Sequence, residues 1–257
     1  MTEELKQKLR VLAQKYEVTS FTEKDPSQFL AHYSDTKNTE VAAFIASLLA
    51  FGNRKQFIPK INYILTLADE TSGDIATWLV TRAFRKSFIS PCGDSSDKFY
   101  RFYSYHDMTD LFESLCAVLE ESTLGEKVHS EWQKTGDHPV QILGSLFKNC
   151  VIVPKGKNSA NKRLHMFLRW MVRTDSPVDL GLWTWFDQKD LIIPLDTHVL
   201  QQSVELGLLS SEKKGHLPPA SLKTALKITQ ALKEVWPADP CKGDFALFGL
   251  GVDVEAH

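Results

Sequence analysis

Residues 39–52, TEVAAFIASLLAFG, restrict the fold more than any other segment, because they are apolar on nearly every side. Small Ala and Ser residues fill the positions between large apolar side chains that recur every three or four residues, namely Val41, Phe44, Ile45, Leu48 and Leu49. A helix of this composition belongs in the interior, with other elements packed around it. The rest of the chain is therefore expected to enclose this helix, and Gly52 to end it.

Helical spacing also predicts most of the elements that enclose it. An amphipathic helix opens the chain in MTEELKQKLRVLAQKYEV, and further helices are predicted at 54–70, 76–88, 107–120, 123–134, 138–150, 159–173, 197–206, 219–234 and 242–251. The least regular part, residues 89–106, joins a Pro/Gly/Ser-rich loop to an aromatic run. We therefore expect an all-α protein with two helical subdomains, 36–175 and 1–35 plus 176–257, and an active cleft between them.

Composition narrows the classes of function. No apolar run among the 257 residues approaches the roughly 20 that a membrane span requires, so no membrane partner is expected. The N-terminal segment lacks the apolar centre of a signal sequence, which predicts a cytoplasmic location. The four cysteines form no CxxC pair, so neither a metal nor a cysteine-bound cluster is predicted. Because the net charge is −2, an anionic partner would have to meet a local basic patch.

The segment CVIVPKGKNSANKRLHMFL, residues 150–168, joins the end of one predicted helix to the start of another through a turn at Pro154 and Gly156. Such a turn presents free backbone N–H groups beside a helix N-terminus, a combination that binds phosphate well. One face of the following helix is basic, with Lys162, Arg169 and Arg173. We interpret this segment as a candidate phosphate-binding site with amines beside it.

A second segment, LIIPLDTHVLQQ at residues 191–202, offers a fixed carboxylate. Pro194 ends an extended stretch, and Asp196 or Thr197 is placed to cap the helix that follows. Capping is the ordinary role of an aspartate at such a position, and catalysis is the alternative. The two roles are compatible, because a capping carboxylate is held in one place.

These two segments together resemble the helix-hairpin-helix superfamily of DNA glycosylases, in which a hairpin turn, a helix and a Gly/Pro-rich loop lead to an invariant aspartate. The last element of that family commonly reads proline, apolar, Asp, Thr or Ser, His or Arg, and Val. This chain has, in that order, Pro194, Leu195, Asp196, Thr197, His198 and Val199. The resemblance covers about residues 26–252 and is nearest to an uncharacterised bacterial family related to archaeal 8-oxoguanine DNA glycosylases.

The resemblance implies roles for several residues. Lys162 stands where members that cleave through an amine carry their nucleophile, and Asp196 would be the catalytic carboxylate. The hairpin has one glycine where the family commonly has two, and Lys155 and Lys157 lie within it, so these two lysines are alternatives for the nucleophile. The implied DNA contacts are Asn53 and Arg54, which would fill the hole left by an extruded base, together with Pro154, Gly156, Lys157, Arg169 and Arg173.

The same resemblance places the base pocket at GDFALFGLG, with Phe248 against the flipped base and Asp244 one turn earlier. His198 belongs either to this pocket or to local hydrogen bonding. The implied function is a monomeric DNA glycosylase with AP-lyase activity that excises an oxidised purine, 8-oxoguanine first, from double-stranded DNA in the nucleoid. It would flip the base and form a lysine Schiff base, with no metal or other cofactor. A non-catalytic binder of DNA or of a damaged nucleotide is the alternative, and an α-helical interaction protein is a third possibility.

Overall fold

The computed structural model describes residues 1–209 and 216–255. These residues form twelve α-helices: α1 (Glu3–Tyr16), α2 (Thr36–Leu49), α3 (Arg54–Ser72), α4 (Ile75–Val80), α5 (Phe84–Ser87), α6 (Tyr105–Leu119), α7 (Leu124–Thr135), α8 (Pro139–Leu146), α9 (Lys162–Val172), α10 (Thr197–Glu205), α11 (Leu222–Leu232) and α12 (Lys242–Glu255). Short 3₁₀ helices occupy Thr19–Lys24, Pro26–Ala31 and Gln188–Asp190. The predicted helical architecture is confirmed, with one addition: the strands β1 (Lys98–Tyr100) and β2 (Tyr103–Ser104) pair as an antiparallel hairpin.

The described residues divide into two compact units, one of residues 24–155 and one of residues 1–23 with 156–257. The predicted subdomain boundaries were instead between residues 35 and 36 and between residues 175 and 176. The difference arises at α9 and its C-cap, because Arg169 and Arg173 pair with Glu17, Asp179 and Asp239 of the second unit. As a result α9 and the segment that leads to α10 belong to one unit.

In the unit of residues 24–155, α2 is the central element. Every residue from Asn38 to Leu49 is buried, which confirms the interior position predicted for this helix. The 3₁₀ helix Pro26–Ala31 and helices α3, α4 and α7 pack around it. Capping boxes start α6, through Ser104 and Asp107, and α7, through Thr123 and Glu126.

In the other unit, α12 packs against both α1 and α10. Two glycines allow this approach, because a Cβ on Gly249 would lie 2.2 Å from the ring of Tyr16 and a Cβ on Gly251 would lie 2.9 Å from Cβ of His198. The core contains apolar residues of α1, α10, α11 and α12 together with Ile193 and Leu195. None of the described helices has both the length and the apolar character needed to cross a membrane.

Candidate functional site

Lys162 and Asp196 lie together at the starts of two helices. Lys162 is the first residue of α9, and Asp196 is the N-cap of α10. The Nζ atom of Lys162 is 3.9 Å from Oδ2 of Asp196, and the two side chains are 27% and 22% exposed. A ligand can therefore reach both groups. The chain folds this way locally because Pro194 ends an extended segment just before the cap, as the sequence predicts.

The two oxygens of the Asp196 carboxylate have different partners. Oδ1 accepts a hydrogen bond from the backbone N–H of Val199 at 3.0 Å, which satisfies one of the open donors in the first turn of α10. Oδ2 faces the amine of Lys162. The predicted capping role is confirmed, and capping leaves the second oxygen available for other chemistry.

The three candidate lysines differ in their surroundings. The amine of Lys162 lies beside Asp196 and also 3.4 Å from Sδ of Met166, one helical turn along α9. Lys155 belongs to the other unit, and its amine donates a hydrogen bond to the carbonyl of Cys150. Lys157 is exposed. Lys162 is thus the lysine that the described contacts bring to the carboxylate.

A tight turn leads into α9, with Pro154 half-buried before it. The carbonyl of Gly156 accepts hydrogen bonds from the N–H of Ser159 at 3.1 Å and from Nδ2 of Asn161 at 3.0 Å. Asn161 precedes the helix in the left-handed region, with φ of 42°, which asparagine tolerates better than most residues. The left-handed residue makes α9 begin at Lys162, three residues after the predicted start. Residues 155–159 of this turn are exposed.

The prediction that Arg169 and Arg173 form a basic face open to solvent is wrong. Their exposed fractions are 5% and 1%, and their guanidinium groups are held by carboxylates. Both also lie over the ring of Phe245, at 4.5 and 5.3 Å from its centroid. We call this group the arginine cluster; its members are Glu17, Arg169, Arg173, Asp179, Asp239 and Asp244. In these positions the two guanidinium groups are not available to a DNA backbone.

Arg173 is the centre of the arginine cluster. Its Nε donates to both oxygens of Asp239, at 2.9 and 3.1 Å, and its Nη2 donates to Glu17 at 2.8 Å. Burial alone would raise the pKa of Glu17, but the charge and hydrogen bond of Arg173 more than offset burial and lower it. The same carboxylates raise the pKa of Arg173 further above its ordinary value, against the opposing effect of burial. Three segments of the unit, which carry Glu17, Asp179 and Asp239, are thereby tied to one side chain.

The residues predicted for the base pocket lie on α12 and α10 of this same unit. Asp244 is 6% exposed and pairs with Arg169. Burial raises the pKa of Asp244 to about 6, and the negative charge of Asp196 acts in the same direction, against Arg169 and Lys162. The ring of Phe248 is half-buried and meets the rings of His198 and Phe21 edge to face, at 5.9 and 6.0 Å. His198 directly follows Thr197 in the first turn of α10, so Phe248, His198 and Asp196 share one neighbourhood.

Asn53 and Arg54 lie in the unit of residues 24–155. Asn53 is exposed and caps α3, because its Oδ1 accepts from the N–H of Lys55 at 2.9 Å. Arg54 is half-buried at the first position of α3. Both stay predictions as DNA contacts.

The β1–β2 hairpin holds the loop that carries Asn53, a feature that the sequence pattern did not reveal. The hydroxyl of Tyr100 donates to the carbonyl of Phe51, and Gly52 has φ of +79° where a Cβ would lie 2.7 Å from Nη1 of Arg101. At the hairpin tip, the ring of Phe102 is 59% exposed and 5.3 Å from the ring of Phe51. The aromatic run in residues 99–103 was the only signal for this contact in the sequence.

The chemistry available at Lys162 and Asp196 is that of an amine and a carboxylate within reach of an organic ligand. A neutral amine can attack an electrophilic carbon, and a nearby carboxylate stabilises positive charge that develops there. Among the described residues, no group of three or more His, Cys, Asp and Glu side chains is arranged to hold a metal ion.

The fold and this site define a mostly helical protein in which a partly exposed lysine, Lys162, begins α9 and a partly exposed aspartate, Asp196, caps α10. The chain belongs to a family of proteins of unknown function, DUF2400, whose model matches residues 25–253. No curated protein and no solved structure was found to match the chain.

Proposed function

We propose that the protein is a DNA glycosylase with AP-lyase activity, on a helix-hairpin-helix scaffold, that removes an oxidised purine from double-stranded DNA. The proposal is carried by one observation: the amine of Lys162 lies 3.9 Å from Oδ2 of Asp196 in a place that a ligand can reach. These are the two residues for which the helix-hairpin-helix glycosylases imply catalytic roles, and they are far apart in the sequence. The proposed place of action is the chromosomal DNA of the nucleoid, and the proposed state is a monomer.

The proposed reaction uses this pair directly. The neutral amine of Lys162 forms a bond to C1′ of the deoxyribose while the bond from C1′ to the base nitrogen breaks, and the base leaves with the bonding electrons. Positive charge develops on the sugar during this step, and Oδ2 of Asp196 stabilises it. One amine proton passes to the departed base and the other to O4′ as the C1′–O4′ bond of the sugar ring breaks, which gives an imine between Lys162 and C1′. Removal of a C2′ proton then expels the 3′ phosphate and cuts the strand.

The surroundings of the pair support a base pocket beside it. A flipped purine needs an aromatic surface and polar groups for its edge. Phe248 and His198 supply ring surface next to the cap of α10, and Asp244 supplies a carboxyl group whose pKa is raised to about 6 by burial. In the proposed complex Phe248 stacks on the base.

Contacts to the duplex are proposed for two exposed loops. The turn of residues 154–157 would bind phosphate through its backbone N–H groups and Lys157. Asn53 would enter the hole left by the flipped base, supported by Arg54. Phe102, which packs on the same loop with more than half of its surface exposed, would stack on a base next to that hole.

A non-catalytic binder of DNA or of a damaged nucleotide is the second candidate. It is favoured by the net charge of −2, by the single glycine in the turn, and by the burial of two arginines that would otherwise contact phosphate. Such a protein would bind lesion DNA without forming a covalent intermediate.

Borohydride trapping separates the two candidates. The protein is incubated with a duplex containing 8-oxoguanine, or with a duplex containing an abasic site, and sodium borohydride reduces any imine to a stable amine link. We expect a covalent protein–DNA adduct together with strand cleavage. Absence of an adduct with both duplexes and with other oxidised purines, under conditions where binding is measured, would overturn the lyase proposal in favour of the binder.

A further inference from the structure

Helix α11 carries an exposed stripe that the proposed active site does not use. Its members recur at intervals of three or four residues and so lie on one side of the helix: Lys223, Leu226, Lys227 and Gln230. Leu226 is 47% exposed, although it is a large apolar residue. The opposite side of α11 is buried and contains Ala225, Ile228 and Leu232. The stripe is therefore a solvent face that combines two ammonium groups with an apolar side chain between them.

Backbone pairing joins the start of this helix to the turn before α9. Ser159 and Ser221 form an isolated antiparallel bridge, and the N–H of Leu222 donates to the carbonyl of Asn158 at 2.9 Å. Lys157, Asn158 and Ser159 are exposed on the turn side of this junction. The turn and the stripe are thus joined at this junction, and we call them together the basic strip, with Lys157 on the turn and Lys223 and Lys227 on α11.

The ammonium groups of the basic strip are not neutralised by the part of the chain that the structure describes. Lys157, Lys223 and Lys227 form no ion pair or hydrogen bond with a described residue. By contrast, exposed Lys189 in the same unit is paired with Asp187 at 2.6 Å. The acid that follows α11, Glu234, is paired with the amine of Met1 at 2.8 Å. Three lysines that have no partner among the described residues favour an anionic ligand with several charges.

The spacing of the lysines fits a polyanion chain. Lys223 and Lys227 are four residues apart, which separates them by about 6 Å along the helix axis. One strand of duplex DNA presents a phosphate at each nucleotide, and lysines that contact these phosphates release counterions. Leu226 lies between the lysines, where it can pack on the sugar carbons that separate two phosphates.

We infer that the basic strip is a binding surface for the sugar–phosphate backbone of duplex DNA, which extends the contact made by the turn onto α11. The inference rests on the proposed function, because it takes DNA as the partner. It adds a set of contacts that neither the turn nor the active site contains. These contacts are independent of base sequence and of damage, so they increase affinity for any duplex.

The test is the salt dependence of binding to an undamaged duplex. Binding of the wild type is compared with that of the double variant Lys223→Gln/Lys227→Gln over a range of salt concentrations. Each phosphate contact contributes about 0.9 to the slope of log affinity against log salt, so the slope of the variant should be smaller by about 1.8. The charge-matched control is Lys8→Gln/Lys189→Gln, two exposed lysines outside the basic strip, which should keep the wild-type slope. The variant Lys223→Arg/Lys227→Arg should also keep it.

An unchanged slope in Lys223→Gln/Lys227→Gln, or an equal decrease in the control, would overturn the inference. Retention of the slope by the arginine variant shows that positive charge at these two positions sets the slope. Thermal unfolding of the glutamine variant at the wild-type temperature excludes a folding defect. Borohydride trapping of the wild type at saturating protein reports separately on the chemistry. If the glutamine variant has the smaller slope but the wild type forms no adduct, the basic strip is supported and the lyase proposal is overturned. If binding of the wild type to duplex DNA does not depend on salt, both the basic-strip inference and the lyase proposal are overturned.

Discussion

The amine of Lys162 lies 3.9 Å from the free carboxylate oxygen of Asp196, although 33 residues separate the two along the chain. The first residue of α9 and the cap of α10 are thus brought to one place. Chemistry at this place depends on both groups, and each can be changed separately.

Lys162→Gln should abolish the borohydride-trapped adduct. Removal of a covalent nucleophile commonly lowers a rate by at least about 100-fold, because the remaining groups cannot replace the bond that it forms. The measurement is adduct yield with an abasic-site duplex, with thermal unfolding as the check on folding. Lys157→Gln serves as the matched control and should retain the adduct. Full adduct yield in Lys162→Gln would assign the nucleophile to another lysine.

Asp196→Asn and Asp196→Ala should separate capping from chemistry. Asparagine caps a helix about as well as aspartate, whereas alanine at a cap costs about 1 kcal/mol of stability. We therefore expect only the alanine variant to show a lowered free energy of unfolding. Both variants should lose base excision, because neither has a carboxylate to stabilise positive charge on the sugar. The measurements are urea unfolding and single-turnover excision. Normal excision by the asparagine variant would leave Asp196 with capping alone.

Arg173→Met should destabilise the unit formed by residues 1–23 and 156–257. The substitution leaves Asp239 and the buried Asp179 and Glu17 without their shared partner, and removal of one member of a buried ion pair costs about 3–5 kcal/mol. Urea unfolding followed by tryptophan fluorescence measures the loss. Lys189→Gln, at an exposed pair, should change the free energy of unfolding by less than about 0.5 kcal/mol. Equal effects of the two substitutions would contradict the central role of Arg173.

Asp244 should make stability depend on pH between about 4 and 6. Its pKa is about 6 in the folded protein against an ordinary 3.8, so the folded state holds the proton more tightly than the unfolded state. The stabilisation is complete below the unfolded pKa and is lost as the pH rises through about 6. The difference in unfolding free energy between wild type and Asp244→Asn should therefore fall by about 3 kcal/mol across this window. A difference that stays constant or rises with pH would contradict this.

Phe102→Ala should weaken binding to lesion DNA with little effect on folding. Stacking of one base on an aromatic ring is worth about 1–3 kcal/mol, so affinity should fall by about tenfold or more. The ring is already 59% exposed, so its loss removes little buried surface. Ile89→Ala, at another exposed apolar residue of the same unit, is the control and should bind as the wild type does. Fluorescence anisotropy with a labelled duplex measures both variants, and equal affinities would remove Phe102 from the DNA contacts.

The sequence predicted the helical framework well, because apolar periodicity depends on local spacing. The interior position of α2 and the cap of α10 follow from a few neighbouring residues, and both are confirmed. The start of α9 was displaced by Asn161, whose left-handed backbone depends on hydrogen bonds to the preceding turn. The proposed reaction at Lys162 and Asp196 stays a prediction that the resemblance supplied.

Burial of Arg169 and Arg173 could not be predicted from spacing. On a helical wheel they form a basic face, and solvent is the usual neighbour of such a face. Their partners come from Glu17, Asp179, Asp239 and Asp244, which are distributed over most of the chain. Long-range pairing of this kind leaves no periodic signal. The β1–β2 hairpin was missed for a different reason, since its strands are only three and two residues long.

The pairing of α1 with α12 has a consequence for synthesis. Residues 24–155 form a compact unit that is synthesised completely before α9. Helix α1 is translated long before the surface that covers it and the buried partner of Glu17, which come from residues 173 to 251. Domains fold as they are completed during translation. Helix α1 must therefore wait for α12, and its apolar side stays open to chaperones while the residues between them are translated.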